Sequence, residues 1–285
     1  MDTTTTTKDE ERCARRRAWK ETDDSFWEAY YKDACVMNEK VRGETTTSIR
    51  GYDWFFSYKD LTLSQWKILL MAEEEDEEGK HKKTPRDSSP PPRILHVGSG
   101  HSALPVDMYN AGWTRTVATD SSETVIRVQN RMFPKGVRWM QADVRNLSRV
   151  FEDDIEKFDV VLDKAVADAL LCYARPEVAL REMFREVRRV LRPGGRCVVF
   201  TSKRSSTCGM KGSALVTPYL REAFGDEAVT ERVLPNPREK GGICPEYDWH
   251  RVDSYAAVIA VVPPLPRVAI SEEETDGRAC LRRGA

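Results

Sequence analysis

Ile94-Leu95-His96-Val97-Gly98-Ser99-Gly100-His101-Ser102-Ala103 decides the fold. A short apolar run stops at a glycine, and a G-x-G-x-x-A turn then opens a helical segment over about residues 102–111. Glycines at such a turn let the backbone reverse sharply and let a ligand approach where a Cβ would stand in the way. Pro105 fits the first turn of that helix, where its missing N–H costs nothing.

The same alternation repeats outward. Residues 115–119 read as a strand, 124–133 as a helix capped by Ser121 or Ser122, and 137–141 and 158–162 as strands. Residues 176–191 form the clearest helix: Leu180, Met183, Phe184, Val187 and Leu191 share one face. Arg192-Pro193-Gly194-Gly195 ends it, and residues 196–201 form the next strand. A helix near 213–224 and strands near 228–234 and 253–262 complete the pattern. Strand and helix in alternation predict an α/β fold, a mostly parallel sheet with helices on both faces.

In such a sheet a ligand lies outside the carboxyl ends of the strands. Asp120 follows the second strand about 20 residues after the glycine turn, the spacing at which an acid meets a ribose diol. Asp143 follows the third strand, and Asp163 and Lys164 follow the fourth. Each has a plain alternative: a tight turn for the glycines, a helix cap for Asp120, a loop acid for Asp143 and a solvated strand end for Asp163. Their convergence on one sheet edge is the stronger observation. The glycine turn alone does not separate a nicotinamide-binding site from a methyl-donor site. A dinucleotide places pyrophosphate at the helix amino terminus and favours glycine throughout the turn. S-adenosylmethionine has no phosphate, and Asp143 is placed to accept from its adenine amino group.

Composition narrows the class. The chain has 285 residues, a formal net charge of −1 and 32% charged residues. Balanced charge argues against nucleic acid as the main partner. The longest apolar stretch, residues 256–265, is broken by Pro263 and Pro264 and is too short for a membrane helix. The first twenty residues hold no apolar signal region, so a cytoplasmic protein is expected. Seven cysteines without a C-x-x-C pair read as reduced thiols, and the four histidines show no metal-ligand spacing. Three stretches look loosely held: residues 1–24, the acidic and proline-rich insertion at 73–92, and the tail at 263–285. One domain over residues 25–262 is expected between the tails.

Several strings resemble the class I S-adenosylmethionine-dependent methyltransferases, in particular the group that includes the lysine methyltransferases of translation elongation factor 1-alpha. Phe26-Trp27-Glu28-Ala29-Tyr30-Tyr31 is similar to Y-W-D-x-R-Y, and Tyr52-Asp53-Trp54-Phe55 to Y-D-W-[YF]. His96-Val97-Gly98-Ser99-Gly100-His101-Ser102 is similar to V-L-G-C-G-N-S, and Val117-Ala118-Thr119-Asp120-Ser121-Ser122 to S-V-D-Y-S. Residues 159–170 resemble D-V-V-L-[DE]-K-G-T-L-D-A-L.

The resemblance implies a Rossmann-like fold with a seven-stranded sheet and S-adenosyl-L-methionine as the donor. It implies that Gly98 and Gly100 line the methionyl part, that Asp120 and Ser121 hold the ribose, and that Asp143 and Val144 flank the adenine. It also implies that Lys164 lies beside the donor and that Trp27, Tyr31 and Trp54 close over its methionyl end, where aromatic faces attract a sulfonium cation. The departures are Ser99 for Cys, His101 for Asn, Ala165 for Gly, and Val166-Ala167 for Thr-Leu. They lie around the donor loop and the acceptor side.

The implied reaction is in-line displacement at the sulfonium methyl, in which the protein mainly aligns acceptor and donor. A lysine acceptor must arrive neutral, and Asp163 and Asp168 are the candidate catalytic acids that orient it or take its proton. No [DN]-P-P-[YF] string follows the fourth strand, which argues against methylation of bases. The favoured function is protein-lysine methylation of elongation factor 1-alpha or a similar protein. Methylation of a small metabolite, and a donor-binding interaction protein without catalysis, are the alternatives.

Overall fold

The computed structural model describes residues 23–40, 55–71, 90–152, 157–202, 212–235 and 254–263. Most of each stretch expected to be loose (1–24, 73–92 and 263–285), and the aromatic string at Trp54, lie outside the described residues. Pro90, Pro91 and Pro92 are described, and the Pro91 carbonyl accepts from Arg115 Nη1 at 3.4 Å.

Seven strands form one sheet: β1 (Ile94–Val97), β2 (Thr116–Asp120), β3 (Arg138–Gln141), β4 (Phe158–Lys164), β5 (Leu191–Ser202), β6 (Val229–Pro235) and β7 (Ser254–Val261). Their order is β3-β2-β1-β4-β5-β7-β6. The first five run parallel, and β7 pairs antiparallel with both β5 and β6. The order reverses between β1 and β4, which opens a crevice at their carboxyl ends. The expected α/β class and the mostly parallel seven-stranded sheet are observed.

Helices cover both faces because the central strands are apolar on both. On one face Leu95, Val97, Val161 and Val199 meet Leu180, Met183, Phe184 and Val187 of α6 (Pro176–Val190) and Val216 and Leu220 of α7 (Gly212–Phe224). On the other, Ile94, Leu162, Val198 and Phe200 meet Trp66, Leu69 and Leu70 of α2 (Leu63–Leu70) and Leu104 and Met108 of α3 (Leu104–Asn110). Each such side chain contributes about 1.5–3 kcal/mol when fully buried. Substitution to Ala of Phe184, wholly buried on the first face, would cost about 3–5 kcal/mol. A smaller cluster of Ala118, Ile126, Val137 and Trp139 seats α4 (Glu123–Met132) on the β2–β3 edge. Ser122 caps α4 by accepting from Val125 N, one of the two expected caps.

Two boundaries differ from the sequence reading. Asp163 and Lys164 belong to β4 rather than following it, because both pair in register with Val199 and Phe200 of β5. The turn at 192–195 lies within the bounds of β5. Leu191 is already extended and pairs with Phe158, and the turn is tied to β7's end by Gly194 N to Val262 O at 2.9 Å and Val262 N to Gly195 O at 2.8 Å.

Candidate functional site

A cleft opens over the carboxyl ends of β1, β2 and β4. It is lined by Gly98, Gly100, Asp120, Ser121, Asp143, Val144 and Lys164, and by Trp27 and Tyr31 of α1 (Asp24–Lys40). Nine of the twelve residues expected at the site therefore share one cavity. Trp54 falls outside the described residues, and Asp163 and Asp168 do not line it.

The glycine turn forms the floor. Gly98 and Gly100 have φ of +54° and +52°, a conformation that side chains disfavour. A Cβ at Gly98 would lie 2.1 Å from Val166 Cγ2, and one at Gly100 would lie 2.6 Å from Tyr31 Oη. Asp120 holds the turn from β2: its Oδ2 accepts from Gly100 N at 2.8 Å and its Oδ1 from Ser122 N at 3.0 Å. Burial raises its pKa to about 6 against the pull of those two amides, with Glu28 and Asp24 adding negative charge nearby. Asp120 thus stabilises the turn and faces the cavity at once.

Lys164 rises from the end of β4, buried, with Nζ donating to Phe56 O and Ser102 Oγ at 3.1 Å each. Beside it sits His96, which sequence reading did not place at the site. His96 is 1% exposed and lines the cleft, yet neither ring nitrogen has a hydrogen-bond partner among the described residues. Burial, with the Lys164 charge adding to it, lowers its pKa to about 3, so it is neutral. Ser99 Oγ is likewise buried at the cleft and unpartnered among the described residues. Buried polar atoms without partners mark a place where a polar ligand completes the hydrogen bonding. A polar residue inside the otherwise apolar run Ile94-Leu95-His96-Val97 was the available signal.

Helix α1 crosses above this floor. Tyr31 is buried and meets the His101 ring edge-on at 4.9 Å, and Trp27 and Tyr30 adjoin Tyr31 at 6.2 and 5.3 Å. Glu28 reaches Ser122 Oγ, and Thr124 Oγ1 at 2.6 Å, at the start of α4. Although burial pulls the other way, these hydroxyls and Lys32 hold the Glu28 carboxyl down at about 2. No local pattern announces this contact, because Glu28 and its partners are far apart in sequence.

The two carboxylates expected to be catalytic lie outside the cleft lining. Asp163 is wholly buried and accepts from Val166 N at 2.7 Å and Ala167 N at 3.1 Å, capping α5 (Val166–Leu170). Burial raises its pKa to about 7. It is neither solvated nor turned to the cleft, because the chain enters α5 directly from β4 through Ala165 in the left-handed region, φ +79°. Asp168 accepts from Thr201 Oγ1 at 2.8 Å and ties α5 to β5. Both support the β4 loop, and neither lines the cleft.

Asp143 also differs from expectation in its partners. Its two oxygens accept from Arg145 N, Nε and Nη2 at 2.8–3.2 Å, and it caps the 3₁₀ turn Val144–Arg149. It still lines the cleft.

The arrangement suits a nucleoside carrying an amino-acid tail. A carboxylate stands where a diol would lie, an apolar residue and an acid stand beyond it, and buried polar groups with one ammonium stand at the other end. The two glycines form a cradle that a Cβ would fill. These features fit S-adenosyl-L-methionine.

Residues 95–199 match a family described as a methyltransferase domain. The chain is 27% identical over 188 residues to EEF1A lysine methyltransferase 4 of Mus musculus, covering 62% of this chain and 60% of that protein. It is 32% identical over 182 residues to the Bos taurus protein of that name, covering 60% of this chain and 62% of that one. It is 28% identical over 188 residues to the eEF1A lysine and N-terminal methyltransferase homolog of Drosophila melanogaster, covering 64% of this chain and 22% of that protein. The chain therefore spans less than two thirds of each of these relatives. Among solved structures, the [4+2]-cyclase SpnF superposes with a TM-score of 0.51 at 17% identity, covering 86% of this chain and 97% of that one, a likeness of fold. The donor cleft and the strand order agree with the match of residues 95–199 to a methyltransferase domain.

Proposed function

We propose that the protein is an S-adenosyl-L-methionine-dependent protein-lysine N-methyltransferase whose acceptor is translation elongation factor 1-alpha or a similar protein. One observation carries the donor half of this reading: Asp120, Asp143, the glycine turn and Lys164 line one cleft beneath the aromatic residues of α1. The acceptor half rests on the relatives, whose names give elongation factor 1A lysine as what they methylate. A cytoplasmic location suits that acceptor.

Asp120 accepts from both ribose hydroxyls, Val144 packs on the adenine, and Asp143 accepts from the adenine amino group. Lys164, with His96 and Ser99 beside it, receives the methionyl end. The donor supplies a methyl on a cationic sulfur, already activated for displacement. Trp27, Tyr30 and Tyr31 shield that centre from water and hold the incoming amine in line. The lysine gives its proton to water before attack, and the neutral thioether leaves as the C–N bond forms. Neither Asp163 nor Asp168 takes that proton, since the amides of α5 and the Thr201 hydroxyl engage them away from the cleft.

The decisive experiment is mass spectrometry of elongation factor 1-alpha incubated with the protein and donor. A methyl added to a lysine supports the assignment. Label passing from donor to other proteins but not to the factor replaces the acceptor, and label confined to small molecules replaces the protein-lysine reading.

A further inference from the structure

Arg145 joins three parts of the molecule that sequence keeps far apart. Its guanidinium and backbone amide occupy both oxygens of Asp143 through Nε at 3.0 and 3.2 Å, Nη2 at 2.8 Å and N at 2.9 Å. The same Nη2 donates to Asp24 at the start of α1. Tyr173, beyond β4, donates its hydroxyl to the other Asp24 oxygen at 2.9 Å and lies under the guanidinium, 5.4 Å from ring centre to Cζ. All four residues line the cleft. Planar forks bind carboxylates in two places at once and fix their orientation. The Arg145 charge is secured chiefly by its hydrogen bonds to Asp143.

We infer that Arg145 is a positioning residue for base recognition: it orients the Asp143 carboxylate toward the adenine amino group and fastens α1 over the same end of the cleft. The inference rests on the donor assignment above. The Asp143 side chain is 35% exposed and sits on the 3₁₀ turn rather than inside the sheet. Without the guanidinium its rotation is limited only by the bond from Arg145 N. With it, the oxygens are fixed: three N–H groups fill three of the about four lone-pair sites, which leaves one for the base. Asp24 shares the guanidinium without touching Asp143, so the helix anchor and the base contact are separable by mutation.

The probes are S-adenosylhomocysteine and its inosyl counterpart, in which a 6-oxo group replaces the 6-amino group. An oriented Asp143 accepts from the first and is repelled by the second. The wild-type protein is expected to prefer the adenosyl compound by about tenfold or more, the worth of one charge-assisted hydrogen bond. Arg145→Ala is expected to bring that ratio close to one, and Arg145→Lys, which keeps the charge but not the fork, to lower it in part. Asp24→Asn should leave the ratio unchanged and speed dissociation of both compounds alike.

A purely structural role for Arg145 would weaken both compounds equally. An unchanged ratio in Arg145→Ala and Arg145→Lys therefore overturns the inference. If Arg145→Ala does not fold, the ratio in Arg145→Lys decides alone. Binding of neither compound by the wild-type protein would instead overturn the donor assignment, a distinguishable result.

Discussion

The ends of β2 and β4 look alike and behave differently. Each closes an apolar strand with an aspartate that is nearly or wholly buried, 5% exposed for Asp120 and 0% for Asp163. Each carboxylate accepts from two backbone amides, and burial raises the pKa of both. Yet only Asp120 lines the cleft. The difference lies in which amides each one holds. Asp163 spends both oxygens on the helix that immediately follows it. Asp120 spends one on its own turn and the other on the turn after β1, so it is drawn across the strand ends to the place where the sheet order reverses. A strand-end acid reaches the cleft when its partners include a neighbouring strand's turn.

The largest effect should fall on Asp120→Ala, which loses donor affinity by about a hundredfold or more in calorimetry, as befits two hydrogen bonds to a charged group. Asp163→Ala should instead show in denaturant unfolding, at about 2–4 kcal/mol, because two amides of α5 lose their acceptor in a buried place. Exchange of these two outcomes would undo the comparison.

A pH series sharpens it. Asp120 binds a diol best as the carboxylate, so donor affinity should climb as pH rises through about 6, and this step should vanish in Asp120→Asn. For folding the sign is opposite. Both acids have folded pKa values above the ordinary aspartate value of 3.8, about 6 and about 7. Their contribution to stability is full below about 3.8 and is lost as pH rises through those values. Thermal melts of Asp163→Asn should therefore gain on the wild type between pH 4 and 8. The smallest effect is local to the β4 loop. Ala165→Gly relieves a left-handed residue at φ +79° and should add about 1 kcal/mol of stability.

Much of the fold was legible in the sequence, since strands such as 94–97 and 158–162 are short apolar runs beside turns and α6 carries an unbroken apolar face. The donor side of the cleft was legible for the same reason: parallel strands put residues that end them side by side. What escaped were contacts set by tertiary approach. Glu28 on Ser122 and Thr124, and Asp24 on Arg145, join positions about a hundred residues apart, and no spacing rule connects them. Asp163 was misplaced because an acid at a strand end reads identically whether the next residue turns away or enters a helix. His96 was passed over although its polarity breaks an apolar run.

The anchoring of α1 implies a hierarchy of opening. Side chains of this helix grip distant turns, whereas β1, β4 and β5 exchange backbone bonds within a largely buried layer. Releasing two carboxylates frees the helix without disturbing that ladder, so its amides should take up deuterium far sooner than those of Leu95, Val161 or Val198. Occupancy of the cleft should slow the early exchange and leave the late exchange governed by global unfolding.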